Sequence, residues 1–275
     1  DERLVALKMK HLFFIILASF ASILASSQEN DSIIVVQSPT GRLSGLIDVQ
    51  DLTNEGYNYW DDKFEGHWSG IELGINGFVS PDYSMYPATE NHFLENDLIR
   101  SNVLNLNILQ YSKGIQQTRN NIGLVTGLGL SFQSYHLDNN TTISVDENRK
   151  IHPSLLYFDS SQKSKLSSLY LEVPVLLEFQ VPVKNADNRL YLSVGLTGAK
   201  RLETHTKVKY QKNGKREKLK SPGEYAIKDF KVAGTIRMGY RWVNFFATYD
   251  LAPLFENRRG PKLYSFSAGI KLISF

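Results

Sequence analysis

The residues with the chemistry to act fall into a pattern. Glu72, Glu172, Glu178, Arg237 and Lys271 each sit on the polar side of a segment in which every second residue is apolar, and Arg241 closes one such segment. An extended strand turns successive side chains to opposite faces. These carboxylates and cations therefore share one face of whatever sheet the segments build. If that face is enclosed, an unpaired charge on it is costly. The expectation is an interior ion-pair network of Glu72, Glu172, Glu178, Arg237, Arg241 and Lys271, with Glu172 and Glu178 set against Arg237 and Lys271. Two chemistries fit such a network: a static brace, or a gated path for protons or ions.

Other groups carry weaker chemistry. Lys207, Lys209, Lys212, Lys215, Arg216, Lys218 and Lys220 crowd one polar stretch. Such a loop attracts phosphates or anionic glycans, lipopolysaccharide among them, or is simply solvated and screened by salt. Histidines stand at 67, 92, 136, 152 and 205, and His136 and His205 have Ser134, Glu203 and Thr204 nearby in sequence. A His with Ser and Glu is the material of a hydrolytic site, but surface histidines in polar loops are common. No GxSxG, GxxxxGK[ST] or HExxH pattern occurs. Asp82, Glu90, His92, Glu95 and Asp97 gather in one stretch whose spacing matches no calcium loop. No catalytic residue, cofactor or metal site is assigned.

The elements that must position these groups are strands. Leu166 to Gln180 is the clearest: Leu169, Leu171, Val173, Val175, Leu177 and Phe179 alternate with Tyr170, Glu172, Pro174, Leu176, Glu178 and Gln180. Like segments run over 68–78, 103–111, 121–135, 189–203, 230–241, 243–251 and 264–275. The connections between them alternate long and short: 80–100, 112–120, 136–163, 184–188, 204–227, 242 and 252–263. Short turns at one end and long loops at the other are the layout of an outer-membrane barrel. The expected fold is all-β: a closed antiparallel up-and-down transmembrane β-barrel of eight strands. An even strand count returns both termini to the periplasm.

Alternation alone does not decide which face turns outward. A soluble lipocalin-like barrel would put the apolar face inside, around a ligand. Glycines 123, 127, 129, 195, 239 and 269 all fall on the polar face, which suits a crowded narrow lumen. Eight strands leave an interior just wide enough for side chains to fill, which argues against a general diffusion pore.

Hydrophobic residues make up 42% of the chain and the net charge is +3. The charge points to no nucleic-acid partner, and the hydrophobic content fits a barrel in which every second strand residue meets lipid. Leu12 to Leu24 is one apolar run, preceded by Lys8, Lys10 and His11 and followed by Ala25, Ser26 and Ser27. That order reads as a secretory signal peptide over 1–27, with 1–8 as an upstream extension. Residues 28–66 read as a periplasmic N-terminal segment, and 67–275 as the barrel. The chain holds no cysteine, so no disulfide staples it.

The stretch GHWSGIELGINGF, Gly66 to Phe78, resembles the opening strand of the PorT-like outer-membrane β-barrel proteins of Bacteroidota. The resemblance extends over Gly66–Phe275 as a strand pattern. It implies support of protein secretion through secretion-apparatus partners; with no catalytic motif in the chain, the expected role is that of a non-enzymatic structural or accessory protein in a Gram-negative outer membrane. The alternatives are a small-solute transport barrel and a lipid-modifying enzyme. Expected partners are outer-membrane lipid, lipopolysaccharide and the barrel-insertion machinery, which would read the terminal Phe275 with Ile273. The sequence departs from the usual ending there, because Lys271 and Gly269 occupy places where apolar residues share the terminal aromatic's face.

Overall fold

The computed structural model describes residues 64–274, apart from residue 91, residues 117–120, 138–140 and 156–158, residue 184 and residues 213–214. The signal peptide expected over 1–27, residues 28–63 of the next segment and the terminal Phe275 lie outside the described residues.

Eight strands make a ring. They are β1 (Gly70–Asp82), β2 (Asn102–Gly114), β3 (Ile122–Leu137), β6 (Asp159–Val183), β7 (Asn185–Lys212), β9 (Phe230–Tyr240), β10 (Val243–Asp250) and β11 (Lys262–Ile273). Each pairs antiparallel with its neighbours in the ring, and β1 against β11 closes it. Three further strands sit at the long-loop end. A hairpin of β4 (Thr141–Val145) and β5 (Ile151–Leu155) stands in one loop, and β8 (Lys215–Pro222) pairs with the overhanging end of β7. The stretches 136–163 and 204–227, expected as loops, are therefore largely β-structure.

The orientation of the wall follows from its burial. On β6, Val173 and Val175 are 45% and 54% exposed, whereas Glu178 between Leu177 and Phe179 is fully buried. Leu73 and Ile75 on β1, Val194 and Leu196 on β7, and Ile270 and Leu272 on β11 are exposed in the same way. Asn76, Asn105, Ser131, Ser193, Thr235 and Ser267 are buried on the opposite parity. Hydrocarbon covers the outside and polar side chains fill the inside, the inverse of a soluble barrel.

Exposed aromatic residues edge this apolar belt at both ends. Tyr111, Phe179, Tyr240 and Trp242 ring the short-turn end, and Phe132, Phe230 and Tyr249 ring the long-loop end. Amphipathic rings settle at the two membrane–water boundaries. Phe230 and Tyr240 bound β9. Ten steps of about 3.3 Å, tilted by about 40°, give a height of about 25 Å, the height of a transmembrane barrel's apolar band. The fold is a closed, antiparallel, up-and-down transmembrane β-barrel of eight strands.

The last strand resolves the irregular ending of the sequence. A bulge sets Ile71 opposite Ile273 but Glu72 opposite Lys271, so Leu272 is the extra residue. Leu272 and Ile273 are both about half exposed on the outer face. A bulge inserts one residue without reversing the rest of the strand. Lys271 can thus point inward while Ile273 joins the belt.

Candidate functional site

The lumen is the candidate site, and buried polar and charged side chains from the wall strands crowd it. At the short-turn end the chain does not extend β1 along the wall. Phe64–Ser69 passes inside instead. The Gln110 side chain receives it: Oε1 accepts the N–H groups of Trp68 (2.6 Å) and Ser69 (2.8 Å), and Nε2 donates to the Gly66 carbonyl (2.8 Å). Ser112 Oγ donates to the Phe64 carbonyl (3.2 Å) and Gln180 Nε2 to the Glu65 carbonyl (2.5 Å). Phe64 and Trp68 pack with Val125 and Leu176 in a buried cluster. Gly123 and Gly127 leave room for the two rings, because a Cβ on either would strike Phe64 or Trp68.

The luminal charges hold this segment. Glu178 accepts the His67 N–H at 3.1 Å with one oxygen and lies 2.7 Å from His67 Nδ1 with the other. Ser193 Oγ and Gln180 Nε2 each donate to Glu178 at 2.7 Å. The His67 ring stacks on Tyr191, with centroids 4.0 Å apart. Lys271 Nζ donates to the carbonyls of His67 (2.7 Å) and Ser69 (3.1 Å). Above them Arg237 pairs with Glu72 and stands over the Trp68 ring, 4.6 Å from its centroid. Asn105 Nδ2 donates to the other Glu72 oxygen at 3.2 Å.

The arrangement corrects the expected pairing. Arg237 is paired with Glu72, and Glu178 with His67, whereas Lys271 serves backbone carbonyls. Glu172 lies farther along the lumen, beside Ser131 and the Lys231 ammonium. Arg241 is not luminal. It is exposed, with φ of 56°, in the two-residue turn between β9 and β10, where left-handed backbone suits a tight hairpin. A second buried ion pair was not named from the sequence. Lys231 Nζ lies 3.1 Å from Asp250, donates to Gln133 at 3.2 Å and covers the Tyr170 ring at 4.4 Å.

The long-loop end carries an aromatic cap. Tyr83, Tyr86, Phe93, Ile143, Ile151, Tyr225 and Phe255 come from four connections and join Tyr135 and Leu166 of the wall in one core. Tyr86 donates to the Ile151 carbonyl at 2.8 Å. Burial pushes the Tyr83 hydroxyl up to about 12. His152 ties two connections together, with Nδ1 3.1 Å from Glu90 and Nε2 3.3 Å from Asp146. The other acids of the first loop do local work: Asp82 accepts from the Ser84 N–H, Asp97 from Ile99 and Arg100, and Glu95 faces His92. Among the described residues no group of three or more His, Asp or Glu is arranged to hold a metal.

The basic stretch is a β-ribbon. Lys207 faces Lys220, Lys209 faces Lys218, and Lys212 and Lys215 are partners in the β7–β8 register, as are Gln211 and Arg216. The histidines singled out beside it lie on the outer surface. His205 Nδ1 is 3.4 Å from Glu203, while Ser134 Oγ meets Ser167 Oγ at 3.0 Å and accepts from Lys165 at 3.4 Å. The His136 backbone N–H donates to Ser101 Oγ at 2.9 Å, but neither imidazole ring is hydrogen-bonded to a serine among the described residues. Burial, and then Lys165 and Arg100, hold the His136 value below the usual range. Burial, and then Lys220, do the same for His205.

No family model matches the chain, and no curated protein matches it. Among solved structures, the crystal structure of Ail, the attachment invasion locus protein of Yersinia pestis, is similar to this chain. The identity is 14% and the TM-score 0.30, over 75% of this chain and 98% of that one.

Proposed function

We propose that this chain is an integral outer-membrane β-barrel of a Gram-negative cell, with periplasmic termini and a structural or accessory, non-enzymatic role. On this reading the barrel is a closed scaffold that presents its capped loops outside the cell. The observation that carries the reading is Phe64–Ser69 seated inside the wall and held by Gln110, Glu178 and Lys271. With an eight-stranded interior already narrow, that segment and the two buried ion pairs occupy the lumen where a solute would have to pass. Assembly would use the barrel-insertion machinery, with Ile273 and Phe275 as its signal.

Planar-bilayer recording of the purified full chain tests this. The expected trace is flat at moderate voltage, and a steady single-channel conductance would replace the scaffold with a transport barrel. Secretion is the accessory role suggested by the PorT-like character of Gly66–Phe78. Affinity purification from native membranes should then bring secretion-apparatus proteins along. Their absence would remove secretion and leave the scaffold.

A further inference from the structure

The outward face of β6, β7 and β8 above the belt carries lysines in register. Lys165 is the partner of Lys207, which is the partner of Lys220; Lys163 is the partner of Lys209, which is the partner of Lys218. Residues two apart on a strand share a face. Two parallel rows of three ammonium groups therefore cross three adjacent strands. On the fourth strand His136 continues the first row beside Lys165. Strands lie about 4.8 Å apart, so Lys207 and Lys209 on the middle strand have a like charge on each side. Like charges directly opposite destabilise a sheet. Of these six lysines, Lys220 alone has a carboxylate partner among the described residues, Glu203 at 3.2 Å. Burial and then Lys207 and Lys209 hold the Lys165 ammonium below its ordinary range. Among the described residues this stretch of sheet carries more ammonium groups than carboxylates to balance them.

Its place on the barrel says what supplies that charge. The same face of β6 runs Lys163, Lys165, Ser167, Leu169, Leu171, Val173, from cation through hydroxyl to hydrocarbon. Lys165 stands four residues beyond Leu169, about 13 Å along the strand and about 10 Å in height at barrel tilt. Ser134, Ser167 and His205 fill the polar step between. The grid thus stands at the height of the head groups of the leaflet around the belt, and lysine stems can bend down toward that layer. A soluble partner would have no reason to need cations on the wall itself, continuous with the lipid-facing surface.

We propose that Lys163, Lys165, Lys207, Lys209, Lys218 and Lys220 form a binding surface for the phosphorylated saccharide head groups of the lipid surrounding the barrel. The proposal rests on the membrane placement above, not on the closed lumen. A conducting wild-type barrel would end the scaffold reading and leave this one standing.

The test uses the full chain in detergent and rough-type lipopolysaccharide, either intact or stripped of phosphate by phosphatase. Lipid retained by the protein is counted by native mass spectrometry. Intact lipid should be retained at least tenfold more than the stripped form, with the difference collapsing at high salt. Lys163→Gln, Lys165→Gln, Lys207→Gln and Lys209→Gln combined should lose at least tenfold for intact lipid, with circular dichroism and heat-modifiable migration unchanged. Equal retention of both lipids overturns the proposal. So does undiminished retention by a folded quadruple variant. Displacement by millimolar inorganic phosphate, or preferential capture of soluble heparin, would reassign the grid to a free anion or a soluble glycan. If the quadruple variant does not fold, the two lipids on the wild-type chain decide alone.

Discussion

At the scale of single residues, side-chain parity carried information and partner choice did not. Glu72, Glu178, Arg237 and Lys271 could be placed inside because each follows an uninterrupted alternation. Their partners depend on strand register and on an inserted segment, neither of which is local. His67 is the case in point, since nothing in its neighbours foretells a ring stacked on Tyr191 in the lumen. Arg241 failed for a different reason: parity stops meaning anything at a turn. The Glu72–Arg237 pair makes a sharp prediction. Arg237→Met alone leaves a buried carboxylate without its cation and should cost about 3–5 kcal/mol in urea unfolding. Glu72→Gln with Arg237→Met should recover most of that loss. A double variant as unstable as the single would mean the arginine works through Trp68 instead.

At the scale of elements, all eight wall strands were legible because one face of each is uniformly apolar. β4, β5 and β8 were not, because their exposed faces are as polar as loops. A signal for β8 was present in Asn213-Gly214, a dipeptide typical of tight hairpins, flanked by Lys-x-Lys alternation. That ribbon should respond to acid. Burial and neighbouring cations hold His205 on β7, and His136 two strands away on β3, below the ordinary histidine value of about 6.5. Below that value the unfolded ribbon therefore binds protons more readily than the folded one. Stability here is full at neutral pH and falls as pH drops from about 6.5 through the folded values. Amide exchange in β7–β8, corrected for intrinsic rate, should speed up severalfold between about pH 7 and about pH 5.5. His136→Gln with His205→Gln should remove the difference. The inserted segment is testable as a unit. Phe64→Ala with Trp68→Ala should cost at least about 3 kcal/mol and turn a silent bilayer into one with openings. Continued silence would place the seal in the aromatic cap.

At the scale of the whole molecule, loop asymmetry and glycine-rich polar parity pointed to an inside-out barrel, and exposed Val173, Val175 and Leu196 settle the matter. Val175→Arg should cost about 2–4 kcal/mol in phospholipid vesicles if the residue lies at mid-bilayer, and Lys218→Gln almost nothing. An equal effect of both would contradict the assigned orientation.

The inserted segment precedes the first wall strand, yet one of its holders, Lys271, belongs to the last. The lock between them cannot exist while the ring is open. Synthesis delivers Phe64 before β1 and Lys271 within β11, so the segment waits through the seven wall strands that precede β11 before its seat is complete. Burial of Trp68 therefore marks the moment of closure. A barrel halted with β1 and β11 apart should have this tryptophan extinguished by a water-borne quencher, and the finished one should keep its emission.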